Sequence, residues 1–245
     1  MNTLSYRTPW APVILCLLLT AACVHDRLIP PVVSPPASPA PTNSAEPAAT
    51  FLPFAVPDGM VEVIREIPDI MLDIRYAGSN NFVGEPLDGY LAARAFLMPK
   101  TAAALKAAQA EFRGRGYCLK LYDGYRPMRA ERHMIRWAKA AGREELLSEG
   151  YLASHINTRR TRGHACGNAV DVTLIGPDGR ELDMGTEFDT FSRDAWTMNA
   201  SGGVRAHRLL LKSVMERHGF TNFSREWWHF NYRGEPGRAR DDIIR

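Results

Sequence analysis

The sequence lacks several features that would place it in a large class of proteins. Its formal net charge is only +3 over 245 residues, far from the basic excess with which proteins neutralise nucleic-acid phosphates. No segment recurs at a period of about 20–50 residues, which argues against solenoids and propellers. What the chain does have is apolar content, since 45% of its residues are hydrophobic, enough for a globular core.

The N-terminal apolar run is too short to cross a bilayer comfortably, which takes about 20 residues. This run, "APVILCLLLTAAC" at 11–23, follows one basic residue and no acidic one and ends in small residues, as secretory signal peptides do. Its end is similar to a bacterial lipobox, so we expect residues 1–22 to be a lipoprotein signal peptide and Cys23 to be lipidated. Plain secretion and an uncleaved anchor are the alternatives, because Thr20 stands where leucine is commonest.

A proline-rich stretch follows the N-terminal run. Nine of the 17 prolines lie between residues 30 and 57, and proline fixes φ and removes a backbone donor, so this stretch cannot join a helix or sheet. We therefore predict an extended tether at 23–57 and a folded domain at 58–245. Val24, rather than aspartate, follows the cysteine, which favours anchoring on the periplasmic side of the outer membrane.

Cysteine is scarce in the predicted domain. Of the four cysteines, one lies in the predicted signal peptide and one is the lipidation candidate, which leaves Cys118 and Cys166. In an oxidising compartment these two either form a disulfide or remain buried thiols that pack as small apolar residues. The sequence leaves both alternatives open.

Hydrophobic periodicity predicts helices and strands that do not follow a strict βαβ order. One or two strands are predicted over 60–77, with a break at Pro68. The other predicted strands are 117–125, 167–175 and 225–233, and the predicted helices are 98–116, one that begins at Pro127, and 204–220. This pattern predicts an α+β domain with a mostly antiparallel sheet flanked by helices.

Histidine is also infrequent, with seven in the whole chain. A catalytic zinc takes three protein ligands, usually histidine together with Asp or Glu. His164 opens "HACGNAVD", and Asp171 ends it inside an otherwise apolar stretch, where a lone carboxylate would be unfavourable to bury. A metal ion or an arginine would supply the missing partner. Alternatively, Asp171 points outwards and His164 is an ordinary loop residue.

Two other stretches carry groups that such a site would use. In "EWWH", Glu226 and His229 are three residues apart, which on an extended strand places them on opposite faces. A bulge or a strand end would have to bring both to one site. In "YDGYRP", Arg126 precedes a proline and is biased to extended backbone. It either points into a cleft, where it would stabilise an oxyanion, or pairs with Asp123.

Four motifs together resemble the bacterial D-alanyl-D-alanine dipeptidases of the VanX type, which are zinc peptidases related to D,D-carboxypeptidases. The motifs are "DIRYA…NNFxG" at 73–84, "DGYRP" at 123–127, "HxxGxAxD" at 164–171 and "EWWH" at 226–229. The likeness runs from about residue 58 to 235. It implies a single zinc peptidase domain with one Zn²⁺ per chain.

The resemblance also implies a role for each residue of the motifs. His164, Asp171 and His229 would bind the Zn²⁺. Glu226 would act as the general base for the attacking water and then as the acid for the leaving amine. Arg126 would stabilise the tetrahedral intermediate.

Substrate contacts follow from the same resemblance. The segment "MGTEFDTF" at 184–191 is similar to the family segment that supplies an aspartate for the substrate's free ammonium, which corresponds to Asp189 here. A buried anion that binds a free amino terminus would restrict the enzyme to dipeptides. The chain departs from the family at Arg162, where the family usually has serine. Arg162 either binds the substrate's carboxylate instead or indicates a different dipeptide as the substrate.

The expected function is zinc-dependent hydrolysis of D-Ala-D-Ala in peptidoglycan turnover or salvage. Vancomycin resistance fits less well, because an exported enzyme would not meet a cytoplasmic precursor pool. One alternative is a D,D-carboxypeptidase that trims terminal D-Ala from peptidoglycan stem peptides. Another is a lipoprotein that binds peptidoglycan through a degenerate, non-catalytic site. The sequence indicates no nucleic-acid partner and no particular oligomeric state.

Overall fold

The computed structural model describes residues 56–153 and 155–245. The predicted signal peptide, Cys23 and nearly all of the predicted tether lie outside these residues. The helices and strands, in chain order, are β1 (Val61–Glu62), α1 (Val63–Glu66), β2 (Met71–Leu72), β3 (Phe96–Leu97), α2 (Pro99–Arg113), β4 (Cys118–Asp123), α3 (Met128–Ala140), α4 (Glu145–Ser148), β5 (Ala169–Ile175), α5 (Gly202–Arg217), β6 (Phe220–Asn222) and β7 (His229–Tyr232).

A five-stranded sheet organises the domain, with the strand order β2-β4-β5-β7-β6. The β2–β4 pair is parallel and the other three pairs are antiparallel. Helix α2 packs on β4 and on α5, which also contacts β6. These observations confirm the predicted α+β domain with a mostly antiparallel sheet flanked by helices. The small β1–β3 sheet lies apart from the main one.

The prediction of strands over 60–77 was largely wrong. Only β1 and β2, of two residues each, are extended there, and α1 lies between them. Val63 and Ile67 are both fully buried, and Ile67 N–H donates to the Val63 carbonyl at 2.8 Å. Apolar residues four apart lie on the same face of a helix. Val63 and Ile67, whose residue types favoured a strand, therefore bury together on a helical turn instead.

The middle of the sheet brings three polar residues into one row. Strand β5 is buried along its whole length, as expected for a strand covered on both faces. Its Asp171 is opposite Asp123 of β4 on one side and His229 of β7 on the other. The register of β4 shifts between Leu121 and Asp123, and such an irregularity re-aims side chains at the end of a strand. The polar row therefore lies at one end of the sheet.

The two cysteines of the domain are free thiols, so the disulfide alternative does not hold. Cys118 Sγ donates to the Asp69 carbonyl at 3.3 Å and Cys166 Sγ to the Arg160 carbonyl at 3.4 Å. Both are buried, which matches the alternative that they pack as small apolar residues. Among the described residues, no helix has the length and apolar character that spanning a membrane requires.

A buried arginine organises the long connection between β5 and α5. Arg208 of α5 is only 1% exposed, and its guanidinium donates to the carbonyls of Met184, Trp196 and Asp194 at 2.7–2.8 Å. These bonds tie both ends of the segment 184–196 to α5. Because a buried carbonyl without a donor is unfavourable, this segment depends on Arg208 for its conformation.

We expect Arg208→Met to lower the free energy of unfolding by about 3–5 kcal/mol, because the carbonyls of Met184, Trp196 and Asp194 lose a charged donor. Urea unfolding of the domain would measure the change as a lower transition midpoint. Arg205→Met removes an exposed arginine from the same helix and should change stability by less than about 0.5 kcal/mol. Similar midpoints for the two variants would contradict this role of Arg208.

Candidate metal centre and active site

Three side chains with metal-binding atoms converge at the end of β5 and β7. His164 Nε2 lies 3.2 Å from Asp171 Oδ2 and 3.1 Å from His229 Nδ1. His229 Nδ1 lies 3.0 Å from Asp171 Oδ1. Ligands of a tetrahedral zinc with bonds of about 2.0–2.1 Å are roughly 3.3 Å apart. The His-Asp-His set thus fits a divalent metal in both donor type and spacing.

Neighbouring groups fix the orientation of each of the two histidine rings. His164 lies in a 3-10 turn, His164–Cys166, between Gly163 at φ 107° and Gly167 at φ 70°, values that glycine adopts readily. His164 Nδ1–H donates to the Gly124 carbonyl at 2.7 Å, which leaves Nε2 as the metal-facing atom. His229 faces the centre with Nδ1 instead, and its Nε2 lies 2.9 Å from Asn231 Nδ2.

The buried carboxylate of Asp171 is held in its charged form. Burial by itself would raise the pKa of Asp171, but the neighbouring His164 and His229 hold it below the usual range of a carboxyl. Arg126 adds to this, since its Nη2 donates to Asp171 Oδ2 at 3.2 Å. Asp171 was predicted to need a partner, and it has three, the two histidines and Arg126. The alternative that Asp171 points outwards therefore does not hold.

Glu226 reaches the same centre because the last strand begins later than predicted. The strand predicted at 225–233 spans only His229–Tyr232, and the residues before it form turns. Asn222 Nδ2 donates to the carbonyls of both Glu226 and His229 at 3.0 Å. The turn brings Glu226 Oε2 to 4.0 Å from His229 Nδ1. Burial raises the pKa of Glu226 to about 7.

The sequence left open whether Arg126 points into a cleft or pairs with Asp123, and in the structure it does both. Its Nε donates to Asp123 Oδ2 at 2.9 Å, so it does pair with that acid. It also lines the pocket beside the metal-binding residues. Its guanidinium carbon lies 4.6 Å from the ring centroid of Tyr76, a cation–π contact that helps to fix its position.

Asp189 lies in the same pocket as a partly buried acid. Its φ of 60° places it in the left-handed region, which aspartate tolerates better than most side chains. Tyr76 Oη–H donates to Asp189 Oδ2 at 2.8 Å. Burial, and then the negative charge of Asp171, raise the pKa of Asp189 well above its usual value. A cation entering the pocket would relieve both effects.

The pocket that holds these groups has a volume of about 250 Å³. Its apolar wall is formed by aromatic side chains and one leucine. They are Tyr76, Tyr151, Leu152, Phe191, Phe223 and Trp228. Only one residue of the tryptophan pair lines it, because Trp227 faces a neighbouring cavity, where its Nε1–H donates to Thr186 Oγ1 at 2.9 Å. The pocket is small enough to suit a short substrate.

The structure brings six of the seven site residues predicted from the sequence into one pocket: Arg126, His164, Asp171, Asp189, Glu226 and His229. Arg162 is the exception. It is exposed and lines the adjoining groove, where its guanidinium donates to the carbonyls of Tyr232 and Arg233 at 2.6 and 3.0 Å.

Sequence reasoning missed Tyr76, Asn222 and Asn231 as supporting residues. Tyr76 stands inside the "DIRYA" motif, and Asn231 follows His229 by two residues, a spacing that shares one face of a strand. No signal in the sequence pointed to Asn222, because its bonds to Glu226 and His229 depend on the turn between them.

Comparisons with known proteins agree with this site. Residues 57–244 match the model of the M15 peptidase family, described as D-ala-D-ala dipeptidase. The chain is 36% identical to the D-alanyl-D-alanine dipeptidase of Enterococcus faecium, over 67% of this chain and 86% of the relative. It is also 36% identical to the enzyme of that name from Enterococcus faecalis, over 73% of this chain and 94% of the relative. The D-alanyl-D-alanine dipeptidase of Streptomyces coelicolor is 34% identical, over 75% of this chain and 93% of the relative.

A solved structure of the LD-carboxypeptidase LdcB covers 72% of this chain and 68% of its own at 18% identity and a TM-score of 0.42, too low a score to support an argument. The family match and the dipeptidase relatives define the class of protein, a metal-dependent peptidase. The chain belongs to the D-Ala-D-Ala dipeptidase family of M15 peptidases.

We expect Asn231 to control metal affinity through His229. When Nδ1 of His229 binds a cation, its Nε2 carries the proton and needs an acceptor, which the Asn231 amide offers once its oxygen faces the ring. Asn231→Leu should weaken metal binding about 10-fold or more, whereas Asn231→Asp should preserve or tighten it. Competition with a chromophoric chelator measures both affinities. Equal weakening in both variants would contradict this role of the Asn231 side chain as an acceptor.

Proposed function

We propose that this chain hydrolyses the dipeptide D-Ala-D-Ala with one Zn²⁺ held by His164, Asp171 and His229. The observation that carries the proposal is that a His-Asp-His set and the partly buried Glu226 and Asp189 share one small pocket. The names of the relatives in three bacteria support the choice of substrate. The small volume and aromatic wall of the pocket support a short peptide.

The donor set supports zinc as the metal. Two histidines and one carboxylate leave a fourth position free in a tetrahedral site, as catalytic zinc centres do. When bound, Zn²⁺ would lower the pKa of a water molecule and polarise the scissile carbonyl. Because Asp171 carries one negative charge and the two imidazoles are neutral, the site with a bound divalent ion would keep a net positive charge, which favours a developing oxyanion.

Glu226 is the proposed general base and acid. Its carboxylate lies at the edge of the metal-binding set, 4.0 Å from His229 Nδ1, within reach of a water that attacks from the centre. It would accept a proton from that water as the carbon–oxygen bond forms. It would then return the proton to the amide nitrogen as the carbon–nitrogen bond breaks, so that D-Ala leaves as a neutral amine.

Arg126 is the proposed electrostatic stabiliser of the tetrahedral intermediate. Its bonds to Asp123 and Asp171 and its contact with the Tyr76 ring hold the guanidinium in place before substrate arrives. A fixed positive charge that needs no reorganisation contributes most where charge develops during the reaction. Because Arg126 is only 13% exposed, water screens this charge weakly.

Asp189 is the proposed binding site for the substrate's free ammonium, with Tyr76 holding its carboxylate. A buried acid that is left without a cation strongly favours a ligand that supplies one. This preference supports a dipeptidase over a carboxypeptidase, because the second residue from the end of a stem peptide has no free amine. Arg162 remains the candidate for binding a carboxylate of the substrate from the adjoining groove.

A D,D-carboxypeptidase that trims stem peptides remains the second candidate function, and a non-catalytic peptidoglycan-binding lipoprotein the third. The use of Asp189 separates the first from the second. The presence of Glu226 beside the metal ligands speaks against the third, since binding alone needs no base.

The remaining part of the proposal concerns location. The N-terminal pattern of residues 1–22, with Cys23 at its end, supports export and lipidation. The proline-rich residues 23–57 would then hold the catalytic domain, 58–245, away from the periplasmic face of the outer membrane. Breakdown of the cell wall would be the source of substrate in that compartment, so this location fits a role in turnover or salvage.

We expect Glu226→Gln to lower kcat for D-Ala-D-Ala by about 10²–10⁴-fold, because the amide cannot accept the proton from water. Metal analysis should find one zinc per chain in the parent and in the variant. The matched control is Glu187→Gln, an exposed acid outside the pocket, which should keep the parent's activity. Full activity in Glu226→Gln at normal zinc content would refute the assignment of the base.

We expect Asp189→Asn to distinguish a dipeptidase from a carboxypeptidase. Loss of a charge-assisted hydrogen bond to the ammonium should reduce kcat/KM for D-Ala-D-Ala by about 10–100-fold. The parent should discriminate strongly against N-acetyl-D-Ala-D-Ala, and the variant should lose most of that discrimination. If the parent instead prefers the acetylated peptide, the carboxypeptidase alternative gains and the role of Asp189 fails.

A further inference from the structure

A second cavity, which we call the basic groove, opens directly beside the catalytic pocket. It has a volume of about 760 Å³ and shares Phe223, His229 and Asn231 with that pocket. Two arginines, Arg162 and Arg233, line its outer part. The proposed metal ligand His229 therefore stands on the rim between a small pocket and a larger groove.

Strand β7 gives the basic groove its direction. His229 and Asn231 lie on β7, and Arg233 directly follows its last residue, Tyr232. All three line the groove, and residues two apart on a strand share one face. At about 3.3 Å per residue, Arg233 begins roughly 13 Å beyond His229. The row thus runs from a metal ligand, through an amide, to a positive charge.

The charges of the basic groove are not neutralised by neighbouring acids. No acidic residue lines it, and neither arginine forms an ion pair within residues 56–153 and 155–245. Arg162 instead donates to the carbonyls of Tyr232 and Arg233, and Arg233 Nε donates to the carbonyl of Gly219 at 3.3 Å. These bonds hold both guanidinium groups in place without cancelling their charge.

The cleft therefore has a negative end and a positive end. Asp189 lines the catalytic pocket but not the basic groove, while Arg162 and Arg233 line the groove but not the pocket. With the substrate's ammonium at Asp189, the residue that leaves as the amine extends past His229 towards the arginines. The backbone carboxyl carbon of that residue lies only about 4 Å from the reacting carbon, so its charge stays close to the catalytic pocket. Only a second negative group farther along the substrate would reach the outer part of the groove.

We propose that the basic groove binds a side-chain carboxylate on the leaving residue, so that the enzyme prefers dipeptides of the form D-Ala-D-Xaa in which Xaa is acidic. This inference rests on the proposed function and adds a substrate class to it. The side chain of D-Glu or D-Asp extends beyond the backbone carboxylate and brings a second negative charge towards Arg233 and Arg162. A neutral side chain of the same size gains no such attraction.

The test compares kcat/KM for D-Ala-D-Glu with that for the isosteric D-Ala-D-Gln, with D-Ala-D-Ala as the reference substrate. We expect the parent to prefer D-Glu by about threefold to tenfold, since exposed ion pairs are each modest in strength. Arg233→Gln and Arg162→Gln should each lower this ratio. The ratio should also fall as salt is raised from 50 to 500 mM (about a 3-fold change in Debye length).

A matched control removes an arginine elsewhere. Arg205→Gln takes an exposed positive charge from α5, which does not line the basic groove, and should keep the parent's ratio. The ratio cancels any loss of folded or metal-loaded enzyme, because both substrates are affected equally. A parent ratio of one or less, or a ratio unchanged in Arg233→Gln, would overturn the inference while cleavage of D-Ala-D-Ala upholds the proposed function. If no dipeptide is cleaved, both proposals fail.

Discussion

The site depends on one buried carboxylate, that of Asp171 in the middle strand of the sheet. A charged group with 2% exposure is strongly unfavourable unless it has partners. His164, His229 and Arg126 supply them from three different parts of the chain. Two of these partners are in turn anchored, His164 by the Gly124 carbonyl and Arg126 by Asp123. The pairing requirement of a single acid thus gathers the metal ligands and the proposed oxyanion stabiliser.

The sheet makes this arrangement possible because it fixes the register of the three central strands. Asp123, Asp171 and His229 lie opposite one another on β4, β5 and β7, so the polar row is set by backbone hydrogen bonds rather than by side-chain choice. Glu226 joins the row from a turn that Asn222 closes. Groups on a rigid scaffold keep their geometry better than groups on loops alone.

The substrate-binding half of the pocket has a different origin. Asp189 lies on an irregular segment that the sheet does not hold. Its position depends on Tyr76 from near the start of the domain and on Arg208, which ties the same segment to α5. Because these contacts join distant parts of the sequence, the metal-binding and substrate-binding halves of the site are stabilised by separate interactions. Substitutions in the second half can then change specificity without disturbing the metal ligands.

The sequence by itself determined the residue types of the site and most of the regular structure. The long helices at 99–113, 128–140 and 202–217 and the central strand at 169–175 follow their hydrophobic periods closely. The resemblance carried by the four motifs also predicted His164, Asp171, Glu226 and His229 as site residues, and the structure brings them into one pocket.

Only the tertiary structure decided how these residues meet. The periodicity of 60–77 did not separate strand from helix, since Val and Ile four residues apart also suit a buried helical turn. The spacing of Glu226 and His229 left open whether they share a face, until a turn replaced the first half of the predicted strand. Likewise Arg162 lies in the basic groove rather than in the pocket. Each of these outcomes depends on long-range contacts and burial, which local sequence does not encode.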